Sequence, residues 1–168
     1  EQNKALGVHF NFSPSVDVNN NSKNPIIGNR SFGEDPFNVY NKAKAYIQGH
    51  KDVGVYTSIK HFPGHGDTDK DSHKTLPIIN GNMNRLNSVE LFPFKKLIDD
   101  GLAESVMLAH LSVPAIDKNY PSSLSSKTVS KLLREKYNFS GITVTDALDM
   151  KGVLQDPNIN VDLRAFEV

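Results

Sequence analysis

The strongest constraint on this chain is an alternation: short apolar, β-branched runs are separated by stretches with helical spacing. The runs are "ALGVHFNF" (5–12), "GVYTSIKHF" (54–62), "ESVMLAH" (104–110) and "GITVTDAL" (141–148). Each fits a short buried strand. Between the first two, "EDPFNVYNKAKAYIQGH" places Pro36 near a helix start and Val39, Ala43 and Ile47 on one face. "SVELFPFKKLIDDG" predicts a second helix, with Ser88 as N-cap, Gly101 as its stop and Pro93 in the first turn or at a kink. "SSKTVSKLLREKYNFSG" predicts a third, amphipathic helix capped by Ser125 or Ser126. Strand–helix repeats of this length give right-handed βαβ units and a parallel sheet.

Two parallel architectures compete, an open doubly wound sheet and a (β/α)₈ barrel. Both place ligands at the carboxyl ends of strands. Lys60 and His61 close the second predicted strand, His110 the third and Asp146 the fourth. The turn after the first strand, "NFSPSVDVNN", has no GxGxxG, which disfavours a nucleotide-binding sheet. A full barrel takes about 250 residues, whereas four strands are read here. The expected fold is therefore α/β, with parallel βαβ units forming part of a (β/α)₈ TIM-type barrel, truncated at both ends.

The densest chemistry lies in "KHFPGHGDTDKDSHKT", residues 60–75. Lys plus Arg and Asp plus Glu both number 19 and no basic cluster stands out, so no global field recruits nucleic acid. There is no cysteine, which excludes disulfides and thiolate metal sites. No apolar run approaches the roughly 20 residues of a membrane span.

Three readings of residues 60–75 remain open on spacing alone. A metal site would use His61, His65 and His73, with Asp71, but Pro63, Gly64 and Gly66 oppose the helix that would align two imidazoles. A solvated loop would use the same glycines and aspartates for turns. The adjoining Lys60 and His61 speak against that reading, because groups desolvated at a strand end need something to bind. In the third reading Asp71 and His73, two residues apart, project to the same side of an extended segment. The carboxylate orients the imidazole as an acid/base, and Asp146 serves as nucleophile.

"KHFPGHGDTDKDSHKTLP" and "GITVTDALDMKGV" together resemble the bacterial β-N-acetylglucosaminidases of glycoside hydrolase family 3. "NFSPSVDVNNNSKNPIIGNRSFGEDP" and "MLAHLSVPAID" extend the resemblance over nearly the whole chain. It implies that residues 1–168 are the central portion, about four βα units, of the family's N-terminal catalytic barrel. It implies a retaining β-N-acetylglucosaminidase acting on terminal β-linked N-acetylglucosamine, with peptidoglycan fragments as substrate.

By the same resemblance Asp146 matches the nucleophile that forms a covalent glycosyl–enzyme. His73 matches the general acid/base and Asp71 its dyad partner. Lys60, His61 and Arg30 match residues that bind the terminal sugar. The family's sugar-binding aspartate is expected upstream of Glu1, with Asp17 a poor substitute. No metal or organic cofactor is implied, and water is the expected acceptor, phosphate serving some relatives. Missing barrel segments or a second copy would complete the fold, and the compartment, bacterial cytoplasm or export, stays open. The alternative is a truncated inactive fragment or a noncatalytic carbohydrate-binding relative.

Three residues have competing roles. Arg30 can bind sugar or pair with Glu34 or Asp35. Asp149 competes with Asp146 for the nucleophile role, but three residues past it is expected instead to cap a following helix, and His110 either lines the pocket floor or is a hydrogen-bonded core histidine. Gly64 and Gly66 are expected to adopt unusual dihedrals, and His65 and Asp67 only to shape the loop.

Overall fold

A computed structural model describes residues 1–69, 75–154 and 157–168. Four parallel strands, β1 (Phe10–Asn11), β2 (Tyr56–Phe62), β3 (Ser105–Leu108) and β4 (Ile142–Thr145), lie side by side in chain order. Adjacent order with parallel pairing is the arrangement of consecutive barrel staves. The first strand is shorter than expected. Residues Gln2–Ala5 form a helical turn, α1, and only Phe10 and Asn11 pair, with Tyr56 and Thr57.

Helix α2 (Pro36–Lys51) begins as the sequence predicts. Asp35 accepts from the Asn38 amide at 2.8 Å, Pro36 occupies the first turn, and Val39, Ala43 and Ile47 are fully buried. The next helix is divided. Ser88 ends a short α3 (Met83–Ser88), and α4 (Phe92–Asp99) starts after Leu91 with Pro93 in its first turn. Ser88 is therefore no N-cap: its hydroxyl donates backward to the Arg85 carbonyl at 2.9 Å. Gly101 does end α4, at φ +66°, a conformation that costs glycine little.

The third helix, Lys127–Lys136, is a π-helix with wider i→i+5 turns, such as Lys131 N–H to Ser126 O and Tyr137 N–H to Leu132 O. Ser126 is its N-cap, but the Ser125 hydroxyl makes the side-chain bond, accepting from Thr128 N–H at 3.2 Å. The last helix is α5 (Val161–Glu167).

The core lies between the sheet and the helices. Ile59 and Phe62 of β2 and Val106 of β3 pack in one cluster with Val39 and Ile47 of α2, Phe94 and Leu97 of α4, and Leu132 and Leu133 of the π-helix. Phe62 meets Phe94 edge-to-face with ring centroids 5.3 Å apart, the geometry that aromatic quadrupoles favour. No helix among the described residues is long and apolar enough to cross a membrane.

Candidate active site

The polar tips of the strands converge. Arg30, Lys60, His61, His65 and Asp146 border one cleft of about 190 Å³. Ile26 and Met107 supply its apolar wall. Lys60 and His61 are neighbours in sequence, and a regular strand would point them to opposite faces. A register shift in β2 resolves this. Ile59 pairs with Val106 but Phe62 with Leu108, so β2 carries one extra residue over that step. Such a bulge re-aims side chains, and both residues reach the cleft.

Beneath the cleft lies Asp17, fully buried between Val16 and Val18. Its carboxylate accepts from the Ser15 hydroxyl (2.6 Å), His61 N–H (3.1 Å to Oδ1), His61 Nδ1 (2.7 Å) and His65 N–H (2.7 Å). Burial alone would raise its pKa, but the imidazoles of His61 and His65 and the Ser15 bond outweigh this and hold it well below the usual carboxylate range. A guanidinium can only donate, so the Arg30 Nη2 contact to His61 Nε2 (3.3 Å) makes Nε2 an acceptor. The proton therefore sits on Nδ1, facing Asp17. Asp17 organises the site without entering the cleft, and the sequence reading gave it no such role. The signal available was its place between two apolar residues in "SVDV".

Arg30 also donates to the Ile26 carbonyl at 3.3 Å. Glu34 and Asp35 form no ion pair with it among the described residues, and Asp35 is engaged as the α2 cap. Lys60 is half-buried; burial and the Arg30 charge lower its pKa, while Asp146 and Asp17 oppose them. Asp146 follows β4 directly. Its N–H donates to Leu108 O (2.9 Å) and its Oδ1 accepts from Ala147 N–H (2.9 Å).

Several expectations need correction or placement. His110 is a hydrogen-bonded core histidine outside the cleft lining, contacting Ser123 Oγ at 2.6 Å and Ala147 O at 2.9 Å. Asp149 caps no helix: it lies in a turn, and the next helix begins at Val161 with Asn160 as its cap. Gly64 has φ +128° as expected, but Gly66 is required by proximity, since a Cβ there would sit 1.8 Å from the Val18 carbonyl oxygen. His65 does more than shape a loop, because its buried ring borders the cleft and its amide binds Asp17. Asp67 pairs with Arg85 at 3.0 Å. Asp71 and His73 lie outside the described residues. Among the described residues no cluster of three metal-ligating side chains occurs.

The loop carrying Asn24 is stapled to the strand-tip loop. Asn24 Nδ2 donates to His65 O (2.7 Å) and Gly66 O (3.1 Å), while its Oδ1 accepts from Ile26 and Ile27 N–H. That staple places Arg30 opposite β2.

Parallel barrel staves with a carboxylate, a lysine, an arginine and histidines at their carboxyl tips define a polar-ligand site of the (β/α)-barrel class. Comparison with known proteins narrows the class. The glycosyl hydrolase family 3 N-terminal domain matches residues 1–163, and the chain belongs to that family. It is 39% identical over 160 residues to β-hexosaminidase A of Pseudoalteromonas piscicida, covering 89% of this chain and 27% of that relative. A β-hexosaminidase of Actinobacillus pleuropneumoniae is 37% identical over 148 residues, covering 88% of this chain and 42% of the relative. The solved structure of a family 3 β-N-acetylglucosaminidase from Paenibacillus sp. superposes with a TM-score of 0.94 at 39% identity. That match covers 99% of this chain and 32% of the other. The chain thus spans well under half the length of these relatives.

Proposed function

We propose that this chain carries the nucleophile and part of the sugar-binding subsite of a retaining β-N-acetylglucosaminidase. The substrate is a terminal, non-reducing β-linked N-acetylglucosamine, in peptidoglycan fragments. The observation that carries this reading is the shared cleft, in which the Asp146 carboxylate stands among Lys60, His61 and Arg30. A sugar ring presents hydroxyls that both donate and accept, and these side chains supply charged and neutral partners for them.

In the first step Asp146 attacks the anomeric carbon. Its Oδ1 is held by Ala147 N–H, which leaves Oδ2 as the attacking oxygen. The bond to the leaving oxygen breaks as that oxygen takes a proton from His73. In the second step His73 removes a proton from water, the resulting hydroxide attacks the anomeric carbon, and Asp146 leaves. Asp71 orients the imidazole throughout. The roles of His73 and Asp71 rest on the family resemblance and the "DSH" sequence. The four strands serve as consecutive staves of the catalytic barrel, and further barrel segments, from the same polypeptide or a second copy, close the sugar site.

The test uses the complete natural polypeptide and two glycosides, one with an activated phenol and one with a sugar as leaving group. Asp146→Ala abolishes turnover of both. His73→Ala costs the sugar aglycone toward the upper end of the about 10²–10⁴-fold range of general acid–base catalysis, and the phenol less. Equal losses on both substrates would overturn the acid/base role of His73.

A further inference from the structure

His110 sits just beyond the tip of β3, is 1% exposed, and takes no part in the cleft lining. A carbonyl oxygen accepts and never donates, so the 2.9 Å contact between His110 Nε2 and Ala147 O places a proton on Nε2. Burial pushes the pKa of this imidazole down, against the pull of the Ala147 carbonyl and Asp146. Neutral and protonated on Nε2, the ring offers a lone pair at Nδ1. The Ser123 hydroxyl therefore donates to it at 2.6 Å. Ser123 is itself fully buried in the 3-10 turn Ser122–Leu124. That turn is tied to the β3 tip by Ser122 Oγ to Ala109 O (2.6 Å) and Leu111 N–H to Ser122 Oγ (3.2 Å). A single tautomer is thus locked between a rigid turn and the backbone that follows Asp146.

We infer that His110 is a positioning residue for Asp146: its Nε2–H clamps the Ala147 carbonyl, and the clamped Ala147 N–H holds the Asp146 carboxylate at the angle of attack. This rests on the reading of Asp146 as nucleophile. The backbone of Asp146 is pinned on its other side by the bond to Leu108 O. The His110 clamp completes the pair, fixing the carboxylate between β3 and the turn after β4. Without the clamp the 146–147 link regains rotational freedom, and sugar binding at Lys60, His61 and Arg30 is unaffected.

The test compares His110→Gln with His110→Asn in the complete natural polypeptide. The glutamine amide nitrogen reaches the position of Nε2 and keeps the donor to Ala147 O, whereas the asparagine amide reaches only the position of Nδ1. A misplacement near 1 Å costs on the order of 10²-fold in rate. His110→Asn is expected to lose kcat on that scale with KM nearly unchanged, and His110→Gln to stay close to wild type. A mechanism-based fluorinated N-acetylglucosaminide, with peptide mapping of the labelled residue, reads the attack itself. Slow labelling of Asp146 in His110→Asn and fast labelling in His110→Gln support the clamp. Labelling of Asp146 at the wild-type rate in His110→Asn overturns it, as does equal loss in both variants. Label on a residue other than Asp146 in the wild type would instead overturn the nucleophile assignment.

Discussion

At the scale of single residues, Asp17 bears the heaviest load. Its two oxygens meet only donors: the Ser15 hydroxyl, two backbone N–H groups and the His61 ring. Asparagine has nearly the same shape but turns one acceptor into a donor, so at least one of these groups faces another donor in a buried site. An unsatisfied buried polar group costs about 1–3 kcal/mol, and Asp17→Asn is expected to lose on that order in urea or thermal unfolding. The pH dependence has a definite sign. A carboxylate whose pKa is depressed on folding stabilises the protein above its unfolded value, about 3.9, and loses that contribution as pH falls toward the folded value. Acid unfolding of the wild type should therefore steepen below about pH 4, and Asp17→Asn should lack that component. Identical acid limbs for the two proteins would contradict an ionised Asp17 held by its four donors. Little of this was legible beforehand. Lys60, His61 and Asp146 stand out as polar tips on apolar runs, but three of the four donors to Asp17, from His61 and His65, lie 44 and 48 residues away in sequence.

At the scale of elements, legibility followed periodicity. Val39, Ala43 and Ile47 announce α2, because helical spacing translates directly into a buried stripe. The division of "SVELFPFKKLIDDG" was hidden, since α3 buries only Leu86 and gives no stripe to read. Its Asn82 cap, accepting from Arg85 N–H at 2.9 Å, was the one local signal. The π-helix was read as an ordinary helix, because Val129, Leu132 and Leu133 suit either winding. β1 was overextended because its apolar residues continue past the two that find partners. Where chain segments touch backbone to backbone, composition alone is silent. Gly66 passes against Val18, and a Cβ would meet its carbonyl oxygen at 1.8 Å and its carbonyl carbon at 2.5 Å. Neither neighbour is a flexible side chain, so Gly66→Ala must displace the loop that carries Asp17. Overpacking typically costs about 1–3 kcal/mol, and this substitution should reach or exceed the upper end. A melting temperature equal to wild type would show that the two loops separate readily.

At the scale of the whole molecule, the sheet has two outer strands, β1 and β4. Ile142 of β4 is 57% exposed, and Phe12, just past β1, is 50% exposed. Unpaired strand edges beside apolar side chains favour association. The polypeptide of residues 1–168 is expected to self-associate in light scattering as its concentration rises. A monomer at every concentration would show that these edges are protected.

The extra residue in β2 bears on redesign. It lets one strand tip present two consecutive side chains to a ligand, a density that an unbroken strand cannot offer. A protein engineer who grafted "IKHFPGHG" onto another barrel would inherit the bulge but not Asp17, Asn24 or the groove at Val18 that admits Gly66. The graft would carry the recognisable letters and leave behind the grammar that makes them point inward. Transplants at this site should succeed only when the segment 15–30 travels with the strand.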